Sequence, residues 1–185
     1  MKMTRLAWIK VTCATALSIT AFSSAIAQPA ELRVGLIPSE DAQAMIRASQ
    51  QIMDQLAEKS GMKVRPFVAN DYNGVIEALR SGKLDIAYLG PFSYVLASEV
   101  ANAEAFAVAV TKKTGTSSYQ SLLITRKDSG LDSVAKLKGK TFSFVDPSSA
   151  SGHLFPKAGL LAEGYDPDLY FSRVIFSGSH DASIM

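Results

Sequence analysis

Between residues 31 and 89 the chain repeats one pattern: a short apolar run, an amphipathic stretch, then another short apolar run. Residues 31–38 read as a buried strand that ends at Pro38. Ser39, Glu40 and Asp41 suit a helix start, and Ala44, Met45, Ala48, Ile52, Leu56 and Ala57 recur at helical spacing to about Lys59. Gly61 stops that helix. Residues 63–68 form a second strand, placed near an edge by Pro66, which has no N–H for a ladder. Asp71-Tyr72-Asn73-Gly74 reads as a turn before a helix over residues 75–81. Gly82 ends this helix, and residues 84–89 make a third strand. Strands separated by helices of this length pair in parallel, so the expected class is α/β. In such sheets ligands collect at the carboxyl ends of the strands. Pro38-Ser39, Asp71-Tyr72 and the run from Gly90 to Tyr94 all fall at such ends and should face one crevice.

Further along, residues 93–100 read as a helix. Residues 106–111 and 119–125 read as two strands around a polar turn, either a hairpin or a crossing between lobes. A short helix over 131–137, a strand over 141–145, a helix over 154–163 and a strand over 174–176 follow. The stretch Asp146-Pro147-Ser148-Ser149-Ala150-Ser151-Gly152-His153 sits where strand turns into helix. Two roles fit it. One is a plain N-cap provided by Asp146, Ser148 or Ser149. The other is an oxyanion cradle, in which unpaired first-turn N–H groups and the Ser149 and Ser151 hydroxyls donate, with Gly152 allowing close approach. Ser93 has the same two options.

The length of 185 residues allows one or two domains, and 48% hydrophobic with 19% charged residues suits a globular chain. Three basic residues, Lys2, Arg5 and Lys10, precede an apolar run over 11–22 and the small-x-small site Ala25-Ile26-Ala27. This is the layout of a cleavable secretory leader over residues 1–27, too short in its apolar part to span a bilayer comfortably. The rest of the chain has no basic excess, so nucleic acid is not an expected partner. Cys13, the only cysteine, lies in the leader, and the two histidines lack metal-ligand spacing, so no cofactor or metal is expected. The chain stops at Met185 as a helix begins; an incomplete second lobe is expected, with the first lobe over 28–110 and hinge plus partial second lobe over 111–185.

Several segments together resemble the periplasmic substrate-binding proteins of phosphonate and phosphite ABC transporters. They are residues 71–79, residues 82–91, Tyr119-Gln120-Ser121-Leu122-Leu123-Ile124, Asp146-Pro147-Ser148-Ser149-Ala150-Ser151-Gly152 and Gly178-Ser179-His180. The resemblance runs from Leu32 to Ser183. It implies a type II periplasmic-binding-protein fold: two lobes on a hinge, closing on a ligand for delivery to a membrane permease. It also implies site residues. Tyr72 and Tyr119 match tyrosines that donate to phosphonate oxygens, Ser149 and Ser151 match hydroxyls at the helix start, and His180 matches a histidine reaching the same oxygens. Ala150 stands where the family commonly has threonine, so one hydroxyl donor is lost. Positions that bind the amine of aminoalkyl phosphonates fall beyond Met185.

The residues are compatible with that chemistry. A small tetrahedral anion can be held by neutral donors without Arg or Lys, because a hydrogen bond to a charged group is worth roughly 1.5–3 kcal/mol. The expected protein is therefore a monomeric periplasmic binding protein, not an enzyme, serving an ABC importer. Phosphate or sulfate binding, sensing, or a non-functional truncated chain are the alternatives. A hydrolase built on Ser149, His180 and Asp181 is disfavoured, since the Gly-x-Ser-x-Gly elbow is absent and an adjacent Asp does not orient an imidazole.

Overall fold

The computed structural model describes residues 30–185; the leader expected over residues 1–27 lies outside the described residues. A first lobe is built from β1 (Glu31–Leu36), α1 (Ala42–Ser60), β2 (Lys63–Val68), α2 (Tyr72–Arg80), β3 (Ile86–Tyr88) and α3 (Pro91–Ala101). A second contains β4 (Thr141–Phe144), α4 (Phe155–Ala162), α5 (Pro167–Tyr170), β5 (Arg173–Phe176) and α6 (His180–Ile184). The strands of the first lobe run parallel in the order β2-β1-β3, and β4 pairs with β5, also in parallel.

Local chemistry sets these elements. The Asp41 carboxylate accepts from the Ala44 N–H at 2.8 Å to start α1, and Gly61 ends it at φ 67°, a conformation that only glycine adopts without strain. β2 is indeed an edge strand, and its Pro66 lies opposite Val34. Arg33 on β1 clamps Asp85 just before β3, with guanidinium distances of 2.7 and 2.9 Å and a main-chain N–H at 2.8 Å. Three apolar clusters hold the lobes. Val34, Leu36 and Met53 join β1 to α1; Leu137, Leu160 and Phe171 form the centre of the second lobe, where Phe142 stacks on Phe171 at 4.5 Å. The remaining cluster crosses between them: Val145, which follows β4, packs with Ile37, Tyr72, Val75 and Leu84 of the first lobe.

Two expectations about elements are corrected. α2 begins at Tyr72 rather than Val75, because the Asp71 carboxylate accepts from the Gly74 N–H at 2.6 Å and caps the helix three residues earlier. The strands expected over 106–111 and 119–125 are not formed; a single antiparallel bridge joins Thr111 to Thr116. Phe106, Val108, Leu122 and Ile124 are exposed there. A run that is apolar on both faces suits a strand only where neighbours cover it, and no described strand pairs with either segment.

Candidate functional site

The loop after β4 is organised by its own polar groups. The Asp146 Oδ1 accepts from the Ser148 N–H at 2.7 Å, and the Ser149 hydroxyl oxygen accepts from the Gly152 N–H at 3.0 Å. Ser149 is thus the N-cap of the following turn. That turn, Ala150–Leu154, is π-helical: the Leu154 N–H reaches back five residues to the Ser149 carbonyl at 3.0 Å. Such widened turns are rare and are frequent at functional sites. α4 follows at Phe155. Both roles read from the sequence for Ser149 start from the same geometry, since the cap leaves its hydroxyl hydrogen available to donate.

Gly152 has a different reason from the one the sequence suggested. A Cβ there would meet Val145 Cβ and Cγ2 at 2.4 Å and the Ser149 Oγ at 2.9 Å. The missing side chain makes room for Val145 and the cap, not for a ligand. His153 lies outside the cradle. Its ring packs edge-on against Phe144 and Phe176 at 4.9 and 5.1 Å. Its Nδ1 lies 2.9 Å from the Pro147 carbonyl, which can only accept, so that nitrogen carries the proton.

All three strand ends of the first lobe meet this region. The Tyr72 N–H donates to Asp146 Oδ2 at 3.3 Å, the Ser93 hydroxyl donates to the Ser148 carbonyl at 3.0 Å, and the His180 N–H donates to the Ser39 carbonyl at 2.8 Å. The convergence expected of residues 38–39, 71–72 and 90–94 is therefore present.

Of the residues singled out in the sequence, Tyr72 and Ser149 come together. Tyr72 is 2% exposed, and its phenol lies beside the Ser149 hydroxyl. Burial pushes the Tyr72 pKa up to about 12; a hydrogen bond from Ser149 pulls it back, while Asp146 and Tyr119 push it further up. The phenol is therefore a neutral donor at any physiological pH. Tyr119 is exposed, on the segment whose Ser121 hydroxyl donates to the Ser151 carbonyl. Ala150 is buried beside Ser149, and Ser151 is half-buried with its carbonyl accepting from the Ser121 hydroxyl at 2.6 Å. His180 enters by its main chain; its half-buried imidazole makes no hydrogen bond to another described residue. Its neighbour Asp181 is engaged elsewhere, accepting from the Ser179 hydroxyl and the Ala182 N–H, and the Ser179 bond holds its carboxyl below the usual range. Among the described residues the Ser149, His180 and Asp181 side chains make no hydrogen bond to one another.

Sequence reasoning did not single out Asp146 or Ser121 for the site, and the cap role it offered Ser93 is not the one Ser93 plays. α3 is capped by Gly90, and the Ser93 hydroxyl is spent across the lobe boundary. The available signal for Asp146 was its position as the lone carboxylate in a neutral, serine-rich anion cradle. The lobes are packed shut at this place. A concavity of about 660 Å³ lies elsewhere on the first lobe, lined by residues that include Phe67, Asn70, Glu77 and Lys83, with no candidate site residue among them.

Comparison with known proteins agrees with this architecture. The family described as ABC transporter, phosphonate, periplasmic substrate-binding protein matches residues 34–185. The phosphate-import protein PhnD of Mycolicibacterium smegmatis is 32% identical over 165 residues, covering 85% of this chain and 51% of that protein. The crystal structure of a binding protein component of an ABC phosphonate transporter from Pseudomonas aeruginosa superposes with a TM-score of 0.78 at 33% identity, over 83% of this chain and 52% of that one. PhnD1 from Prochlorococcus marinus, solved in complex with methylphosphonate, superposes with a TM-score of 0.68 at 25% identity, over 85% of this chain and 59% of that one. The chain belongs to the family of periplasmic substrate-binding proteins of phosphonate ABC transporters, and its fold is the type II periplasmic-binding-protein fold. It spans about half the length of the curated relatives it matches.

Proposed function

We propose that this chain is the periplasmic binding component of an ABC importer and holds a small phosphonate or phosphite anion between its lobes. The observation that carries the proposal is the buried Tyr72 beside the N-capping Ser149 hydroxyl, two neutral donors from distant segments at one turn between two lobes, with Tyr119 on the exposed segment that Ser121 ties to the same turn. An anion bridging the Tyr72 phenol and the Ser149 hydroxyl would gain charge-assisted hydrogen bonds from both, and Tyr119 would add a third donor. Ser151 and His180 complete the set when the lobes part and close again on the ligand, and Ala150 adds no hydroxyl. The Pseudomonas aeruginosa and Prochlorococcus marinus proteins, named for a phosphonate transporter and solved with methylphosphonate, support the ligand class. Residues 1–27 then act as a cleaved leader to the periplasm, residues 28–110 and 111–185 supply the lobes, and the membrane permease is the partner. The protein acts as a monomer, binds no nucleic acid and catalyses no reaction.

A second reading, phosphate import, is favoured by the Mycolicibacterium smegmatis relative, which is named for phosphate. Isothermal titration of the secreted chain with methylphosphonate, 2-aminoethylphosphonate, phosphite, phosphate and sulfate separates the two. Tightest binding of methylphosphonate or phosphite is the expected result. Phosphate outcompeting both would replace the first reading with the second, and heat from none of the phosphorus anions would sink both.

A further inference from the structure

We propose that Asp146 is a positioning residue: its carboxylate latches the two lobes together and so sets the meeting of Tyr72 with Ser149. Asp146 is 6% exposed, and its two oxygens have separate tasks. Oδ1 accepts from the Ser148 N–H at 2.7 Å within its own turn, and Oδ2 accepts from the Tyr72 N–H at 3.3 Å in the other lobe. The Tyr72 N–H belongs to the first turn of α2, whose donors have no partner inside the helix. Asp71 already caps Gly74, so Asp146 supplies the acceptor that α2 lacks, with its negative charge at the positive end of the helix.

A buried carboxylate is costly unless hydrogen-bonded, and parting the lobes would remove one of its two partners. Its neighbours act in the same direction. Val145 lies in the cluster with Ile37, Tyr72, Val75 and Leu84, and the Ser148 carbonyl accepts from Ser93. These contacts are made by the chain's own groups and add to the latch. An ionised carboxylate only accepts hydrogen bonds and would repel an anion. Its place in the cradle is thus accounted for by the latch and not by ligand contact. The inference rests on the proposed function only in taking Tyr72 and Ser149 as ligand donors.

The test uses the full chain with Asp146→Asn, and with Asp166→Asn as a control that alters another helix cap, the acceptor of the Asp168 N–H. The ligand-free reporter is hydrogen exchange at the His180 amide, which bonds Ser39 across the lobes and does not touch Asp146. In Asp146→Asn this amide should exchange about tenfold faster, while the β1–β2 ladder amides stay unchanged. The control should leave His180 as in the wild type. Ser93→Ala, which removes the second cross-lobe bond without touching the charge, should raise the same exchange, and Asp146→Glu, which keeps the charge but moves the oxygens off the Tyr72 N–H, takes the place of Asp146→Asn if that variant does not fold. Unchanged His180 exchange, or an equal rise at the ladder amides or in the control, would overturn the latch. Methylphosphonate affinity should fall about 10- to 100-fold in Asp146→Asn. Unchanged affinity beside faster exchange would overturn the coupling to the site. A wild-type chain that binds no methylphosphonate would remove the proposed function, while the exchange arm would still decide the latch.

Discussion

The Ser93 hydroxyl donates to the Ser148 carbonyl at 3.0 Å, and both residues are buried where the lobes meet. The bond joins positions 55 residues apart and uses the one hydrogen of the hydroxyl, leaving none to donate to an anion. Ser93→Ala should strip the Ser148 carbonyl of its partner in a dry environment and cost about 1–3 kcal/mol. Urea denaturation measures this. A loss below about 0.5 kcal/mol would mean that water reaches the carbonyl and that the boundary is not closed as described.

Gly152 is the second place where the boundary tolerates little change. An added methyl group would press on Val145 and on the Ser149 cap together. Gly152→Ala should destabilise the chain by about 1–3 kcal/mol, as overpacking does. If the melting temperature of Gly152→Ala matched that of the wild type, the packing of Val145 against this turn would be wrong.

Removing the serine hydroxyls should separate capping from binding. Ser149→Ala loses both the cap on Gly152, worth about 1 kcal/mol, and a donor facing Tyr72. Its methylphosphonate affinity should drop about 10- to 100-fold. Tyr72→Phe keeps the cap and should lose affinity in the same range. Calorimetric titration of both variants checks the pair; an unaffected Tyr72→Phe would take the phenol out of the site.

Tyr72 also predicts an alkaline limit. Its folded pKa, raised to about 12 chiefly by burial, lies above the ordinary tyrosine value of 10.0. Above pH 10 the unfolded chain gives up this proton more readily than the folded one. The contribution of the neutral buried phenol is therefore complete below pH 10 and is lost as pH rises toward 12. Melting temperatures taken from pH 9 upward should fall less steeply in Tyr72→Phe than in the wild type. Equal slopes would show that the Tyr72 phenol is not buried.

At the acid end Asp85 should act in the opposite sense. The Arg33 hydrogen bonds lower its pKa from 3.8 to about 2. The unfolded chain takes up this proton first, so the contribution is complete above pH 3.8 and is lost as pH falls toward 2. The pair is partly exposed, so added salt should weaken the effect. Asp85→Asn should flatten the decline in melting temperature between pH 4 and 2, and a decline as steep as that of the wild type would exclude this pair as its cause.

Much of the first lobe was legible in the sequence, because its signals are local. Helical spacing from Ala44 to Ala57, Gly61 after α1 and Pro66 on β2 each act through their immediate neighbours, and alternating strands and helices admit few parallel arrangements. The caps of α1 and of the serine turn were legible for the same reason. What the sequence could not decide depends on distant partners. The apolar runs at 106–111 and 119–125 look like strands, but pairing requires neighbours that the local pattern does not specify, and the described residues provide none. Asp146 reads as one more cap until the fold carries the α2 N-terminus to its second oxygen. Gly152 reads as room for a ligand until Val145 fills the space. The sequence by itself determined the α/β class, the edge position of β2 and the serine turn before α4. Only the tertiary structure decided that Val145, Asp146, Ser93 and Tyr72 meet across the lobes, because burial and long-range hydrogen bonding belong to the surroundings of a residue and not to its place in the chain.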